Sequence, residues 1–199
     1  MKLIAVLAAS SIGVAAFAQN TVSTETTATA GLLGGRYIAT GFGWTDINHS
    51  SREGMGAGLA LNVPVNANFD VTVAYGYSWL EGVIGVGHSV DTAVTGYIAR
   101  GENKYFASAS LGYNWAENLF DTDHPVWGLS AGIERAVSDK LSLTTSVGYA
   151  DDFGQHRDSR WDVSVGAAYN LTSKLVATAD VALIEGGSVA YTAGIAFRF

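Results

Sequence analysis

The segment Phe69–Leu80, "FDVTVAYGYSWL", divides its residues into two alternating sets. The odd positions carry large apolar or aromatic side chains: Phe69, Val71, Val73, Tyr75, Tyr77 and Trp79. The even positions before Leu80 carry small or polar residues: Asp70, Thr72, Ala74, Gly76 and Ser78. Successive side chains of a β-strand point to opposite faces, so this period of two predicts a strand with one apolar face and one small, polar face.

The same alternation continues from Arg36 to the end of the chain. It predicts ten strands, with eight as the alternative, at 36–45, 54–63, 69–80, 92–100, 105–115, 126–135, 141–150, 161–170, 175–184 and 189–199. Most of these have about the 9 to 11 residues with which a tilted strand crosses a membrane. Short connections such as "GENK" alternate with long polar ones such as "DDFGQHRDSR". Transmembrane β-barrels have short turns at one end and longer loops at the other.

The composition of the two faces distinguishes a membrane barrel from a soluble sandwich. A sandwich buries its apolar face and exposes a charged one. Here the polar face is mostly Gly, Ala, Ser and Thr, which suits a narrow lumen. The sequence therefore predicts an all-β fold, a closed antiparallel transmembrane β-barrel.

The aromatic residues support the same interpretation. The tryptophans all fall at strand ends beside long loops: Trp44, Trp79, Trp115, Trp127 and Trp161. The strand ends beside short turns carry other aromatic residues: Phe69, Tyr105, Tyr169, Phe197 and Phe199. Two aromatic girdles around an aliphatic band are typical of a lipid-facing barrel wall, because these rings settle at headgroup depth.

The N-terminal part of the chain has a different composition. Residues 1–18, "MKLIAVLAASSIGVAAFA", combine Lys2, an apolar run and an A-x-A cleavage site, and they predict a secretory signal peptide. Residues 19–35 are Thr-rich without periodicity and predict a flexible lead-in, so that 36–199 is the barrel domain.

Charge and cysteine content exclude some classes of protein. Without Lys2 the chain carries 10 basic and 18 acidic residues, a net charge of 10 − 18 = −8. Nucleic acid is not expected as a partner, because phosphate binding needs clustered Lys and Arg. There is no cysteine, so packing and backbone pairing must hold the fold together. No cofactor is expected.

The chain ends in the alternating segment "YTAGIAFRF", with Phe199 last. This ending resembles the C-terminal signature of bacterial outer-membrane β-barrel proteins. The pattern of the mature chain resembles the small porin-type family that includes OmpA-like and OmpX-like barrels, although eight strands are typical of those two. The resemblance implies a Gram-negative outer membrane, contact with the lipid bilayer and lipopolysaccharide, and recognition of Phe199 by the barrel-assembly machinery.

Charged residues on the polar face form one candidate site. By parity Asp70, Arg100, Glu134 and Arg198 point into the lumen at the turn end, and Asp180 points inward at mid-barrel. Either arginine paired with either carboxylate would neutralise charges that are costly to leave alone in a confined space. The hypothesis is a polar gate or plug at that end. The alternative is a set of charges wetted at the rim.

The histidines form a second, weaker candidate site. Each of four long loops is predicted to hold one: His49, His88, His124 and His156. Loops at one end of a barrel could share a metal ion, but no pair has the spacing that fixes ligands locally.

An enzyme is a further alternative. Ten-stranded barrels include the omptin proteases, and "DDFGQH" supplies Asp151, Asp152 and His156. Lipid A deacylases need a lipid-facing His and Ser, for which "HSS" at 49–51 and "HSV" at 88–90 are weak matches. No catalytic residue is predicted. The sequence favours a narrow porin-like channel or a structural membrane protein, with a surface adhesion or binding protein acting through acidic loops as the alternative.

Overall fold

The computed structural model describes residues 30–48, 53–80, 85–117, 123–153 and 159–199. These residues form ten β-strands: β1 Tyr37–Asp46, β2 Glu53–Asn66, β3 Phe69–Leu80, β4 Val86–Arg100, β5 Asn103–Glu117, β6 His124–Ala136, β7 Leu141–Asp152, β8 Arg160–Asn170, β9 Leu175–Ile184 and β10 Ser188–Arg198. Among the described residues, no helix is long and apolar enough to cross a membrane.

Each strand pairs with its neighbours in the chain, and the last strand pairs with the first. All the pairings are antiparallel, and Tyr37 of β1 lies opposite both Asn62 of β2 and Arg198 of β10. Beyond β10, the Phe199 amide donates to the Arg36 carbonyl at 3.1 Å. The predicted closed barrel of ten strands is confirmed, and the eight-stranded alternative is wrong. A closed sheet leaves no edge with unpaired backbone groups.

The connections differ between the two ends of the barrel. At the turn end they span 67–68, 101–102, 137–140 and 171–174. At the loop end they span 47–52, 81–85, 118–123, 153–159 and 185–187. The largest departure from the predicted bounds is β4, which begins at Val86 rather than at residue 92. His88 therefore lies in a strand rather than a loop, and so does His124, the first residue of β6.

Alternation along the strands separates an apolar outer face from a polar inner face. Leu59, Leu129 and Val163 on the outer face are each more than half exposed. Nine of the ten aromatic residues of the two predicted girdles lie on the outer face of a strand, with the tryptophans at the loop end. The tenth, Phe199, follows β10 and is exposed. Exposed apolar side chains thus surround the barrel, while buried polar ones such as Thr95, Ser89 and Ser164 face its interior.

The N-terminal residues that precede β1 differ from the sequence prediction. The signal peptide at 1–18 and the first part of the predicted lead-in lie outside the described residues. Residues 30–34, expected to be part of a flexible lead-in, are instead buried. They lie inside the turn end of the barrel, where Leu32 and Leu33 are 2% and 1% exposed. Their burial follows from apolar side chains that find space within the lumen.

Candidate functional site: the lumen and its turn end

Carboxylates project into the middle of the lumen from three strands: Asp91 of β4, Asp162 of β8 and Asp180 of β9. The residue opposite each of them on a neighbouring strand is a glycine: Gly112, Gly148 and Gly166 respectively. A Cβ atom added at Gly166 would lie 2.8 Å from the Asp180 carboxylate. Because the three glycines have no side chain, each aspartate side chain can lie over the glycine on the neighbouring strand.

Hydroxyl groups line the rest of the middle of the lumen. A cavity of about 60 Å³ is bordered by Asp91, Asp162 and a set of serines: Ser108, Ser110, Ser130, Ser146 and Ser164. The hydroxyls of Ser146 and Ser164 are 2.7 Å apart, and those of Thr95 and Ser108 are 3.0 Å apart. This space holds only a few water molecules. The middle of the lumen is thus narrow, polar and acidic.

A buried ion pair lies at the turn end of the lumen. Glu134 of β6 is 1% exposed, and its carboxylate is 3.4 Å from Nζ of Lys104 on β5. Both partners also bind the N-terminal residues. The Leu32 amide donates to Glu134 Oε2 at 3.2 Å, and Lys104 Nζ donates to the Leu33 carbonyl at 3.2 Å. A carboxylate buried in this way needs a cation and hydrogen bonds to be tolerated.

The structure places four of the five predicted lumen charges on the inner face. Asp70 is 1% exposed at the turn end, where the charge of Lys104 acts on it. Arg198 is half-buried at the same end and donates to the Gly31 carbonyl. Asp180 is half-buried at mid-barrel. Lys104 is the cation within 4 Å of Glu134. The charge of Glu134 also acts on Arg198, so the predicted pairing of Glu134 with Arg198 stays a prediction.

Arg100 is a correction to the sequence prediction. It is exposed at the end of β4 and has the parity of Val90, Val94 and Ile98, which face outward. At the end of a strand beside a turn, the Arg100 guanidinium can stay in contact with water, so its position on the outer face is tolerated. Lys104, which sequence reasoning missed, shares the inward parity of Phe106 on β5. The predicted start of that strand at residue 105 excluded it.

At the loop end, His88 belongs to an aromatic cluster on the outer face. Its ring stacks on Trp115 with centroids 5.2 Å apart, and its Nδ1 is 2.7 Å from the Tyr75 hydroxyl. Its Nε2 lies 3.7 Å from the Glu117 carboxylate. Ser89 points to the opposite face and is 2% exposed. The "HSV" match to a lipid-facing His–Ser pair is therefore wrong, because adjacent strand residues cannot share a face.

Further ring contacts on the outer face extend this cluster into an aromatic belt along the loop end. Trp44 stacks on Tyr191 at 5.1 Å, and Tyr149 lies between Trp127 and Trp161 at 5.4 and 4.9 Å. The cross-strand register produces these contacts, since it sets Trp44 opposite Tyr191 and Tyr149 opposite Trp161. Such contacts between neighbouring strands stabilise a sheet.

The predicted metal and protease residues are only partly described. His49 and His156 lie outside the described residues, as do Ser50 and Ser51. In the described ranges no three or more His, Asp or Glu side chains form a group able to hold a metal ion. Asp151 accepts a hydrogen bond from the Tyr149 hydroxyl at 3.3 Å. The omptin-like hypothesis for Asp151, Asp152 and His156 stays a prediction.

Comparison with solved structures shows the fold. The chain is similar to the β domain of the Bordetella autotransporter Brka, with a TM-score of 0.54 and 10% identity over 83% of this chain and 99% of that one. It is also similar to Neisserial surface protein A, with a TM-score of 0.46 and 15% identity over 82% of this chain and 96% of that one. A third similar structure is the KdgM porin in complex with disordered oligogalacturonate, with a TM-score of 0.47 and 8% identity over 82% of this chain and 99% of that one. No family model and no curated protein matches the chain.

Proposed function

We propose that this chain is an outer-membrane β-barrel protein that forms a narrow, porin-like passage for water-sized solutes and small cations. The observation that carries the proposal is the contrast between the two faces of one closed sheet. A barrel wall that is apolar outside and polar inside is suited to lipid on one side and water on the other.

The outer face supports a place in the membrane. Leu59 and Leu111 are 52% and 64% exposed, a costly arrangement in water for so many neighbouring apolar side chains. In a bilayer the same surface is solvated by acyl chains, and the belt around Trp44 and Trp161 lies at headgroup depth. Similarity to the Brka β domain supports the barrel fold.

The inner face supports a preference for cations. Asp91, Asp162 and Asp180 place negative charge around the middle of the lumen. Arg160 is the cation whose charge acts on the first two of these carboxylates. Rings of Asp or Glu attract cations in narrow pores and repel anions.

We predict small, infrequent conductance steps when the refolded protein is inserted into planar bilayers. In a KCl gradient, the sign of the reversal potential should show that potassium passes more readily than chloride. The D91N/D162N double variant should lose severalfold in potassium preference. A carboxylate about 4 Å from a permeating cation is worth about 1 kcal/mol even at the dielectric constant of water.

The matched control is D139N, which removes a carboxylate from the exposed turn 137–140 outside the lumen. It should leave the selectivity unchanged. Equal effects of D139N and D91N/D162N would contradict selectivity by the lumen carboxylates, and folded but silent wild-type protein would contradict the passage.

A second candidate is a structural surface protein with a closed lumen. The burial of residues 30–34 within the turn end favours it, since a filled barrel needs no transport role. No catalytic activity is part of either proposal. The proposal includes contact of the aromatic belt with lipopolysaccharide and recognition of Phe199 by the barrel-assembly machinery. Adhesion through the acidic loops stays an alternative function.

A further inference from the structure

The N-terminal segment 30–35 occupies the turn end of the lumen. Ala30, Leu32 and Leu33 are 1 to 2% exposed although they precede the first strand. Gly31 and Gly34 have φ angles of +111° and +92°, which residues with a side chain rarely adopt. These glycines let the chain bend on either side of the two leucines.

The two leucines contact different parts of the wall. Leu32 packs in a cluster with Tyr37 and Ala39 of β1 and with residues of β8, β9 and β10. Leu33 packs with Tyr97 of β4 and Phe106 of β5. Consecutive residues thus touch separate arcs of the barrel, so the segment extends across the interior.

Charged side chains of the wall hold the backbone of the segment. Glu134 accepts from the Leu32 amide, and Lys104 donates to the Leu33 carbonyl. Arg198 donates to the Gly31 carbonyl. At the other side, the Asn62 side-chain amide donates to the Gly35 carbonyl at 3.1 Å. Hydrogen bonds to charged groups are stronger than neutral ones, so these contacts fix the position of the short segment.

We propose that residues 30–35 form a releasable plug that closes the turn end of the lumen. This inference rests on the proposed passage and names how it is regulated. The plug is held by apolar contacts of two leucines and by hydrogen bonds to its backbone, so weakening these contacts shifts the equilibrium towards an open lumen. Lys104 and Glu134 then face the passage instead of the plug.

Cysteine labelling tests the position of the plug, because the chain has no cysteine of its own. In full-length protein refolded into vesicles, A30C should react with a small water-soluble maleimide at least about tenfold more slowly than S173C, a thiol on the exposed turn 171–174. Adding L33N to A30C should speed the reaction about tenfold or more, because the amide is poorly accommodated beside Tyr97 and Phe106. Adding L171N instead, the same kind of replacement on the exposed turn 171–174 outside the lumen, should not.

Conductance of the same proteins tests closure. L33N should raise the open fraction in planar bilayers relative to wild type and to the control L171N. Fast labelling of A30C in the otherwise native protein would overturn the plug. So would an A30C/L33N protein that labels rapidly but has the same open fraction as a wild-type protein that conducts. Slow labelling of A30C that L33N accelerates, with both proteins silent, would support the releasable segment and overturn the proposed passage.

Discussion

Replacing Lys104 by Met is expected to lower the free energy of unfolding by about 3–5 kcal/mol, because it leaves the Glu134 carboxylate buried without its cation. The side chain of Glu134 is 2% exposed and that of Lys104 18%, so solvent cannot substitute for the lost charge. The K104M/E134M double variant should recover about half of this loss. It removes both charges and gives up the hydrogen bond to Leu32, which is worth about 1.5–3 kcal/mol.

Denaturant unfolding in lipid vesicles, followed by tryptophan fluorescence, measures these differences. The control is a neighbouring pair at the same end of the barrel, Arg135 and Glu102, whose Nη2 and Oε2 are 3.2 Å apart while both side chains are more than 60% exposed. R135M should cost less than about 1 kcal/mol, as exposed ion pairs do. Equal costs for K104M and R135M would show that the Glu134 pair is wetted and not buried.

The second large effect is expected on the outer face. Replacing Leu129 by Arg should lower the free energy of unfolding from phospholipid vesicles by about 2–4 kcal/mol, because the guanidinium would lie in the hydrocarbon layer on the inner side of the aromatic belt. Leu129 belongs to the middle of β6, where it pairs with Ala109 and Tyr149 of the neighbouring strands.

Val137 provides the matched control. Its exposed fraction is 53%, the same as that of Leu129, but it lies in the turn 137–140 beyond the end of β6. V137R should cost about 0–1 kcal/mol, the value for a basic residue near the interface. If L129R and V137R cost the same, the outer face meets water and the membrane assignment fails.

The alternation of residue types predicted most of the fold because it acts locally. In β3 and β9 the predicted and observed bounds agree, since a period of two directly reports which face each residue takes. The beginning of β4 was missed because Gly87, His88 and Ser89 have the composition of a loop. Their strand conformation depends on pairing with β3 and β5.

The turn end of the lumen was less predictable from the sequence. Residues 30–35 have no periodicity, and nothing local shows that Leu32 and Leu33 find space inside the barrel. Lys104 could have been found from its parity with Phe106, whereas its pairing with Glu134 requires the register of β5 against β6. The alternation of residue types along a strand indicates which face of the sheet a residue is on. Its contact partners depend on the register between strands and on the space inside the barrel.

Quenching of tryptophan fluorescence by brominated phospholipids tests the central claim most directly. All five tryptophans lie on the outer face at the loop end, so one spectrum reports the depth of a single belt. In refolded protein, bromines near the headgroups should quench more strongly than bromines deep in the acyl chains, because the rings lie at the interface. Absence of quenching by any brominated lipid, in a protein shown to be folded, would contradict a barrel that spans the bilayer.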